Sequence, residues 1–446
     1  MKKDDFSRQL RKLVIPIAVQ SFMLALVSVT DAVMLGSIGQ DAMSAASYAG
    51  QVQFFLSLIV TAFSTGIGIM TAQYWGKQDV AAIERIAPIG LRMILAIGGG
   101  MMLAAWIIPS QLMWLLTGDA NLIRLGVEYL LMVAPSYLLV GITQVYFALL
   151  KNSGHAREAS VIGSLAVVIN VFLNGLLIFG WLGLPAMGIR GAALATSVTR
   201  AIELLLAAVV THRRSPVQIR WSRLFEHSPR ELRKDFYFYT VPVIGASLVW
   251  GVAYIAYSAI LGHVDSDAVA ANSITGIARN LLSCFINGVA GGAGIMIGNL
   301  LGANLLDKAR DYARRLTITA AVTGILTGGA LMLLSPFIVR WASLTKTAAN
   351  YLQWMLLFCG LNLMAQSINH TVLDGIFCAG GDSRFDMDTN LIFMWCICLP
   401  LGVLGAFVFH LPAPVIYCLL NMDEIIKLPV VFHRYGKYIW LKNITR

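Results

Sequence analysis

Residues 16–36 read PIAVQSFMLALVSVTDAVMLG, and residues 242–262 read PVIGASLVWGVAYIAYSAILG. Each is apolar enough, and at about 20 residues long enough, for one helix to cross a bilayer. Laid over each other at an offset of 226, Pro16 meets Pro242, Ser21 meets Ser247, and Leu35-Gly36 meets Leu261-Gly262. The register holds further on. Asp41-Ala42 meets Asp267-Ala268, Gly50 meets Gly276, and Gly66-Ile67-Gly68-Ile69-Met70 meets Gly292-Ala293-Gly294-Ile295-Met296, with Gly76 over Gly302. From 16 to 76, 16 of 61 positions are identical without a gap, well beyond what shared composition gives, so the chain is an internal duplication. After a slip of one residue, Lys151-Asn152-Ser153-Gly154-His155-Ala156-Arg157 lies over Cys378-Ala379-Gly380-Gly381-Asp382-Ser383-Arg384.

The rest of the sequence agrees with a membrane solvent. It is 58% hydrophobic and 13% charged, with mean hydropathy +0.73, whereas soluble chains carry about 25% charged residues. Apolar blocks at 13–36, 46–72, 88–109, 124–150, 159–181, 188–210, 238–261, 268–298, 315–341, 348–377, 388–410 and 413–433 each predict a span. None has the short alternating pattern of barrel strands. The first is too long for the apolar core of a signal peptide, so it is read as helix 1. The expected fold is therefore all-α integral membrane, with twelve transmembrane helices in two six-helix bundles. Six is even, so both copies cross in the same direction and are related by a pseudo-twofold axis along the membrane normal, which is a transporter architecture. The expected divisions are an N-lobe over 1–211, a cytoplasmic linker over 212–236, and a C-lobe over 237–446.

The net charge of +10 is concentrated in alternate connections. Lys2, Lys3, Arg8, Arg11 and Lys12 precede span 1, Lys77 and Arg85 follow span 2, and Lys151 and Arg157 follow span 4. Arg213, Arg214, Arg220, Arg223, Arg230, Arg233 and Lys234 fill the centre. Lys308, Arg310, Arg314 and Arg315 follow span 8, and Arg384, Arg434, Lys437, Lys442 and Arg446 come last. Arg190, Arg340 and Lys346 are nearly all that the opposite side holds. This positive-inside pattern predicts a multi-pass protein of the cell (inner) membrane with both termini cytoplasmic, and argues against nucleic acid as a partner. Cys284, Cys359, Cys378, Cys396, Cys398 and Cys418 fall in or at the ends of apolar helices and read as buried thiols. No GxxxxGK[ST], HExxH or GxSxG occurs, so neither ATP hydrolysis nor another enzyme activity is expected, and no cofactor.

Charged and amide side chains inside spans are costly and mark functional sites. Asp31 stands in span 1, where a carboxylate can take up a proton or a small cation. Asn170 and Asn174 are four apart on span 5 and so share a helix face. Their carbonyl oxygens suit Na⁺ or a carboxyl partner, and Thr196 on span 6 can add a hydroxyl. Arg200 and Glu203 read as a structural pair. Asp374, Asp386, Asp388, Asp423, Glu424 and Lys427 read as a neutralised helix-end network. Pro16 falls in the first turn of span 1, where a missing N–H costs little; the alternative there is a kink that moves Asp31. Tyr137, Tyr146, Trp250, Tyr254 and Met364 are the aromatic and Met candidates for lining a substrate cavity.

These residues resemble the multidrug and toxic compound extrusion (MATE) family over nearly the whole chain. The resemblance rests on Asp31-Ala32-Val33-Met34-Leu35-Gly36, Ala72-Gln73-Tyr74-Trp75-Gly76, Asn170 through Gly180, and Gly188 through Thr196. In the second half it rests on Ile297 through Ala303, Ala379-Gly380-Gly381-Asp382-Ser383-Arg384-Phe385, and Asp423-Glu424-Ile425-Ile426-Lys427. It implies an antiporter that exports amphipathic organic cations, drugs or other toxic compounds in exchange for H⁺ or Na⁺. The implied coupling site is Asp31 with Asn170, Asn174 and Thr196, with no metal beyond Na⁺ there, in a monomer surrounded by membrane lipid. A lipid or lipid-linked precursor flippase of the same structural class is the alternative. In the second half the family pattern is broken by Ser247, Asn390 and Cys378, so coupling is expected to run through the N-lobe.

Overall fold

The computed structural model describes residues 3–219, 221–226, 228–342 and 344–445. Lys2, Arg220 and Arg446, counted above among the basic residues, lie outside the described residues. Among those described there is no strand. The main helices are α1 (Lys3–Gly36), α2 (Gln40–Gly76), α3 (Val80–Ile107), α4 (Ala120–Asn152), α5 (Ala156–Phe179) and α6 (Ile189–Arg214). The second half repeats the series with α7 (Arg230–Val264), α8 (Ser266–Gly302), α9 (Leu306–Trp341) and α10 (Lys346–His370), which runs on through widened π-helical turns at Thr371–Phe377. It closes with α11 (Ser383–Val408), α12 (Ala413–Asn421) and α13 (Asp423–Gly436). The fold is the all-α membrane architecture expected from the duplication.

Ten of these helices are long and apolar enough to cross a bilayer on those two criteria alone. The predicted spans at 348–377 and 413–433 fall short for physical reasons. Helix α10 carries Asn362, Gln366 and Asn369, all buried. The last span breaks at Met422 into α12 and α13, and α13 opens on Asp423 and Glu424. Lipid-facing surface is plain elsewhere: on α9, Leu326 is 67% exposed, Leu333 78% and Phe337 65%, at the spacing of one helix face.

The chain forms two compact units. One comprises Phe22–Thr71 and Asp79–Tyr237; the other comprises the chain up to Ser21, Ala72–Gln78, and Phe238 onward. Within the first, the central connection is packed rather than loose. Arg92 on α3 donates to the Glu226 carbonyl at 2.8 Å and to Ser228 Oγ at 3.1 Å, and Trp221 donates to Tyr146 Oη. Within the second, Phe6 near the start of α1 is buried with Met296, Tyr312, Leu373 and Trp440, and Leu10 and Leu13 pack against them. This corrects the reading of Pro16. The helix begins at Lys3, so Pro16 is inside it, not in its first turn. Apolar content marked where the span enters the lipid, not where the helix begins. Pro16 cannot donate to the carbonyl of Lys12, and α1 passes from one unit to the other at Ser21–Phe22. The reading of the thiols is corrected at two positions: all six cysteines are free, but Cys396 is exposed and Cys418 is half-buried.

The duplication is visible as a contact within the second unit. A Cβ on Gly302 would overlap the backbone of Gln73, and a Cβ on Gly76 would overlap the backbone of Asn299. Gly76 and Gly302 are equivalent in the repeat, as are Gln73 and Asn299, so the ends of α2 and α8 cross with equivalent positions in reciprocal contact. Ala72 meets Gly298 in the same register. Gln73 also holds the C-terminal tail. Its Nε2 donates to the carbonyls of Ala379 (2.7 Å) and Lys442 (3.2 Å), and its Oε1 accepts from the Ile444 amide (2.8 Å).

A methyl group at this crossing forces two backbones apart. Gly302→Ala is expected to cost about 1–3 kcal/mol and to lower the melting temperature of the purified protein. Gly329→Ala, on α9 with nothing within 4 Å of the added carbon, is the control and leaves melting unchanged or raises it, as Ala is the better helix former.

Candidate functional site

Two polar clusters lie inside the spanning helices, one in each unit. The first is built on α5. Asn170 and Asn174 are one turn apart, and both are buried. Gly180 caps the helix in the left-handed region, and the chain turns back so that Met187 and Gly188 donate to the carbonyls of Leu177 and Ile178. Gly191 then lets α6 start in close contact with α5, because a Cβ there would overlap the Leu177 carbonyl. This tight α5–α6 corner positions the amides toward α1. Asn174 Nδ2 donates to Asp31 Oδ1 at 2.6 Å and to Asn170 Oδ1 at 3.3 Å.

Both amide protons of Asn174 are thereby used, and its Oδ1 is sealed in the protein with no partner. A buried acceptor left unmade costs about 1–3 kcal/mol. The cluster therefore offers a carboxylate and amide oxygens with spare lone pairs, a donor set that fits a proton or a hard cation. Thr196 does not join it by a hydrogen bond: its Oγ1 donates to its own helix at Ala192 O, 3.1 Å away. Arg200 and Glu203 form the predicted pair at 2.7 Å, and Arg200 is the nearby charge that acts on Asp31.

The second cluster joins α10, α11 and α13. Lys427 is 1% exposed. Its Nζ donates to Asp423 Oδ2 at 2.7 Å and Asn390 Oδ1 at 2.8 Å, with Glu424 Oε1 at 3.5 Å. Asn390 Nδ2 donates in turn to Asp386 Oδ1. Asn369 Nδ2 donates to both the carbonyl and Oε2 of Glu424 at 2.7 Å. His370 Nδ1 lies 3.3 Å from Asp374. The expected neutralised helix-end network is present, with Asp386, Asp423 and Glu424 in the first turns of their helices and Lys427 as counter-charge, and these four side chains are buried. Asp388 stays at the surface, 4.0 Å from Arg384, and the Asp374 side chain is part-exposed. Sequence reasoning missed Asn369 and His370. The signal was present, since Asn362, Gln366 and Asn369 recur on one face of α10 at helical spacing.

The cavity candidates are divided between the two units. In the first unit, Tyr137 is 1% exposed with its hydroxyl sealed and unpartnered, and Tyr146 is held by Trp221. In the second, Trp250 and Tyr254 stack with centroids 5.6 Å apart and planes 9° from parallel. Half-buried Met364 packs with its backbone on Gly324 and its side chain on Gly328 of α9. Among the described residues no group of His, Cys, Asp and Glu is arranged to hold a metal ion.

Comparisons with known proteins give the family and the fold. The MatE family model matches residues 16–176 and again 242–404, so its two copies begin on the same prolines that define the repeat. The uncharacterized transporter YisQ of Bacillus subtilis is 21% identical, over 99% of this chain and 97% of its own. The probable multidrug resistance protein NorM of Thermotoga maritima is 23% identical over 91% and 89%. A solved structure of a variant of the Vibrio cholerae MATE transporter VcmN superposes with a TM-score of 0.89 at 15% identity, covering 99% of this chain and 98% of that one.

Replacing Lys427 tests the second cluster. Lys427→Met leaves two buried carboxylates without their counter-charge and is expected to cost about 3–5 kcal/mol, read as a large fall in melting temperature. Arg384→Met removes a solvent-exposed pair and leaves melting unchanged.

Proposed function

The chain belongs to the MatE family of multi-pass membrane transporters, and from that premise we propose that it is a secondary antiporter. It exports amphipathic organic cations and drugs in exchange for H⁺ or Na⁺, works as a monomer in the cell membrane, and has both termini in the cytoplasm. The observation that carries this reading is the 2.6 Å hydrogen bond from Asn174 to the Asp31 carboxylate, inside spanning helices. The NorM relative, described as a probable multidrug resistance protein, supports the substrate class.

The chemistry follows from the charge of one group. Ionised Asp31 is an acceptor only and holds the Asn174 amide through its N–H. Protonated Asp31 gains a donor, for which the unpartnered Asn174 Oδ1 is the acceptor within the same side chain. Na⁺ has an equivalent effect, since it draws Asp31 and the amide oxygens together as ligands. Either ion changes what α1 and α5 share, and an ion that favours one arrangement over the other shifts the population toward it. Pro16 lies one helix segment before Asp31 on the same helix, where a missing backbone hydrogen bond lets α1 bend. The flippase alternative has less support, because Arg200, one of two cations within spans suited to a phosphate, is committed to Glu203 at 2.7 Å.

The test is accumulation of a fluorescent organic cation in proteoliposomes driven in turn by a Na⁺ and a pH gradient. One gradient is expected to drive accumulation in wild type, and Asp31→Asn to abolish it. With H⁺ as the coupling ion, lowering pH weakens cation binding in wild type and leaves it unchanged in Asp31→Asn. Gradient-driven transport that survives Asp31→Asn in full would remove the proposed coupling site.

A further inference from the structure

The central connection carries two aromatic side chains that the protein leaves open. In the single helical turn Trp221–Phe225, Trp221 is 47% exposed and Phe225 86% exposed. The turn itself is held firmly. The Gln218 amide donates to Glu84 Oε1 at 3.2 Å, Arg223 pairs with Glu84 at 3.7 Å, and Arg92 donates to the Glu226 carbonyl at 2.8 Å. Trp221 Nε1 donates to Tyr146 Oη at 3.2 Å, so the polar atom of the indole is satisfied while part of its ring stays open. A turn fixed in this way presents its rings in one direction.

Two further observations say what meets these rings. The first is depth. Arg92 and Tyr146 each stand one helical turn inside the spans that hydropathy predicts at 88–109 and 124–150. The turn resting on them therefore lies where lipid headgroups meet acyl chains, the layer that amphipathic aromatic rings favour. The second is charge. Residues 212–236 hold seven Arg and Lys against three Asp and Glu. A cleft of about 450 Å³ at the start of α7 is lined by Arg230, Arg233, Lys234 and Tyr237, with Glu231 as its one carboxylate. Among the described residues none of these three cations is in an ion pair, whereas Arg214 and Arg223 are held by Glu158 and Glu84. The chain from Phe225 to Arg230 reaches at most about 18 Å, which keeps the open rings and the open cations within one patch. A soluble anion would use the cations and leave the rings in water. An anionic lipid surface uses both.

We propose that the central connection is a membrane anchor. Trp221 and Phe225 insert at the boundary of headgroups and acyl chains in the cytoplasmic leaflet, and Arg230, Arg233 and Lys234 bind the headgroups of anionic phospholipids there. The anchor lies just before Tyr237–Phe238, where α7 passes from one compact unit to the other. It goes beyond the antiporter reading and does not depend on it, since it needs the chain to span a membrane but not Asp31 to bind an ion.

The measurement is fluorescence quenching of Trp221 in the full-length protein in nanodiscs, its signal taken as wild type minus Trp221→Phe. Phosphatidylcholine brominated near the headgroup end of one acyl chain quenches from the membrane, and acrylamide quenches from water. The brominated lipid is expected to quench Trp221 and acrylamide to leave it bright. At a fixed share of brominated lipid, replacing the remaining phosphatidylcholine by phosphatidylglycerol is expected to raise the quenching about twofold. The combined variant Arg230→Gln, Arg233→Gln, Lys234→Gln removes that rise, and Phe225→Ser lowers the quenching in both lipids. All four altered side chains are exposed, so the fold is kept. Quenching by acrylamide and not by brominated lipid places Trp221 in water, and quenching by neither places it under protein; either result overturns the anchor. Absence of the rise, a rise that survives the combined variant, or one that inorganic phosphate reproduces in discs of phosphatidylcholine alone overturns the assignment to anionic lipid. Asp31→Asn is expected to leave every one of these readings unchanged, so a loss of gradient-driven transport in that variant bears on the antiporter and not on the anchor.

Discussion

The bilayer offers no water to a buried polar group, so an amide or charge within a span is costly unless it finds a partner in the protein. This constraint orders the interior. Asp31 is held by Asn174, Asn174 also donates to Asn170, and Lys427 is surrounded by Asp423, Glu424 and Asn390. At Lys427 the cluster ties α10, α11 and α13 to one another through Asn369, Asn390 and Glu424. Each cluster keeps one amide oxygen sealed and unpartnered, Asn174 Oδ1 in the first and Asn369 Oδ1 in the second.

The two halves have diverged unequally around a common frame. The position of Asp31 in the first half corresponds to Tyr257 in the second, where a buried hydroxyl donates to the Met394 carbonyl. The second half has its buried carboxylates and Lys427 on α11 and α13, beyond the region where the repeat is ungapped, and Arg279 on α8 within it. The helical frame tolerates this exchange because the crossing of α2 and α8 depends on glycines and backbone, which the duplication kept, and not on the polar side chains, which it did not.

Much of this was legible in the sequence. The offset of 226 gave the two-fold organisation, and hydropathy located ten spans directly. Asn170 and Asn174 could be paired by helical spacing, and Asp31 by its cost in lipid. What was not legible has a common cause: periodicity and apolar content report on the lipid-facing surface, and lose meaning where a helix leaves the lipid or faces only protein. Hence Pro16 was placed at a helix start when the helix runs on to Lys3, and α10 and α13 hid a buried network behind low apolarity.

The reciprocal contact of Gly76 with Asn299 and Gly302 with Gln73 has a further consequence. A contact in which equivalent positions exchange places is isologous, the form taken by the interface of a twofold homodimer. A six-helix ancestor that met a second copy of itself through the end of its second helix would have made this contact before the two genes were joined. Fusion then freed each side to vary: Asp31 corresponds to Tyr257, and Gln53 to Arg279. The glycines stayed because neither partner can enlarge unless the other gives way.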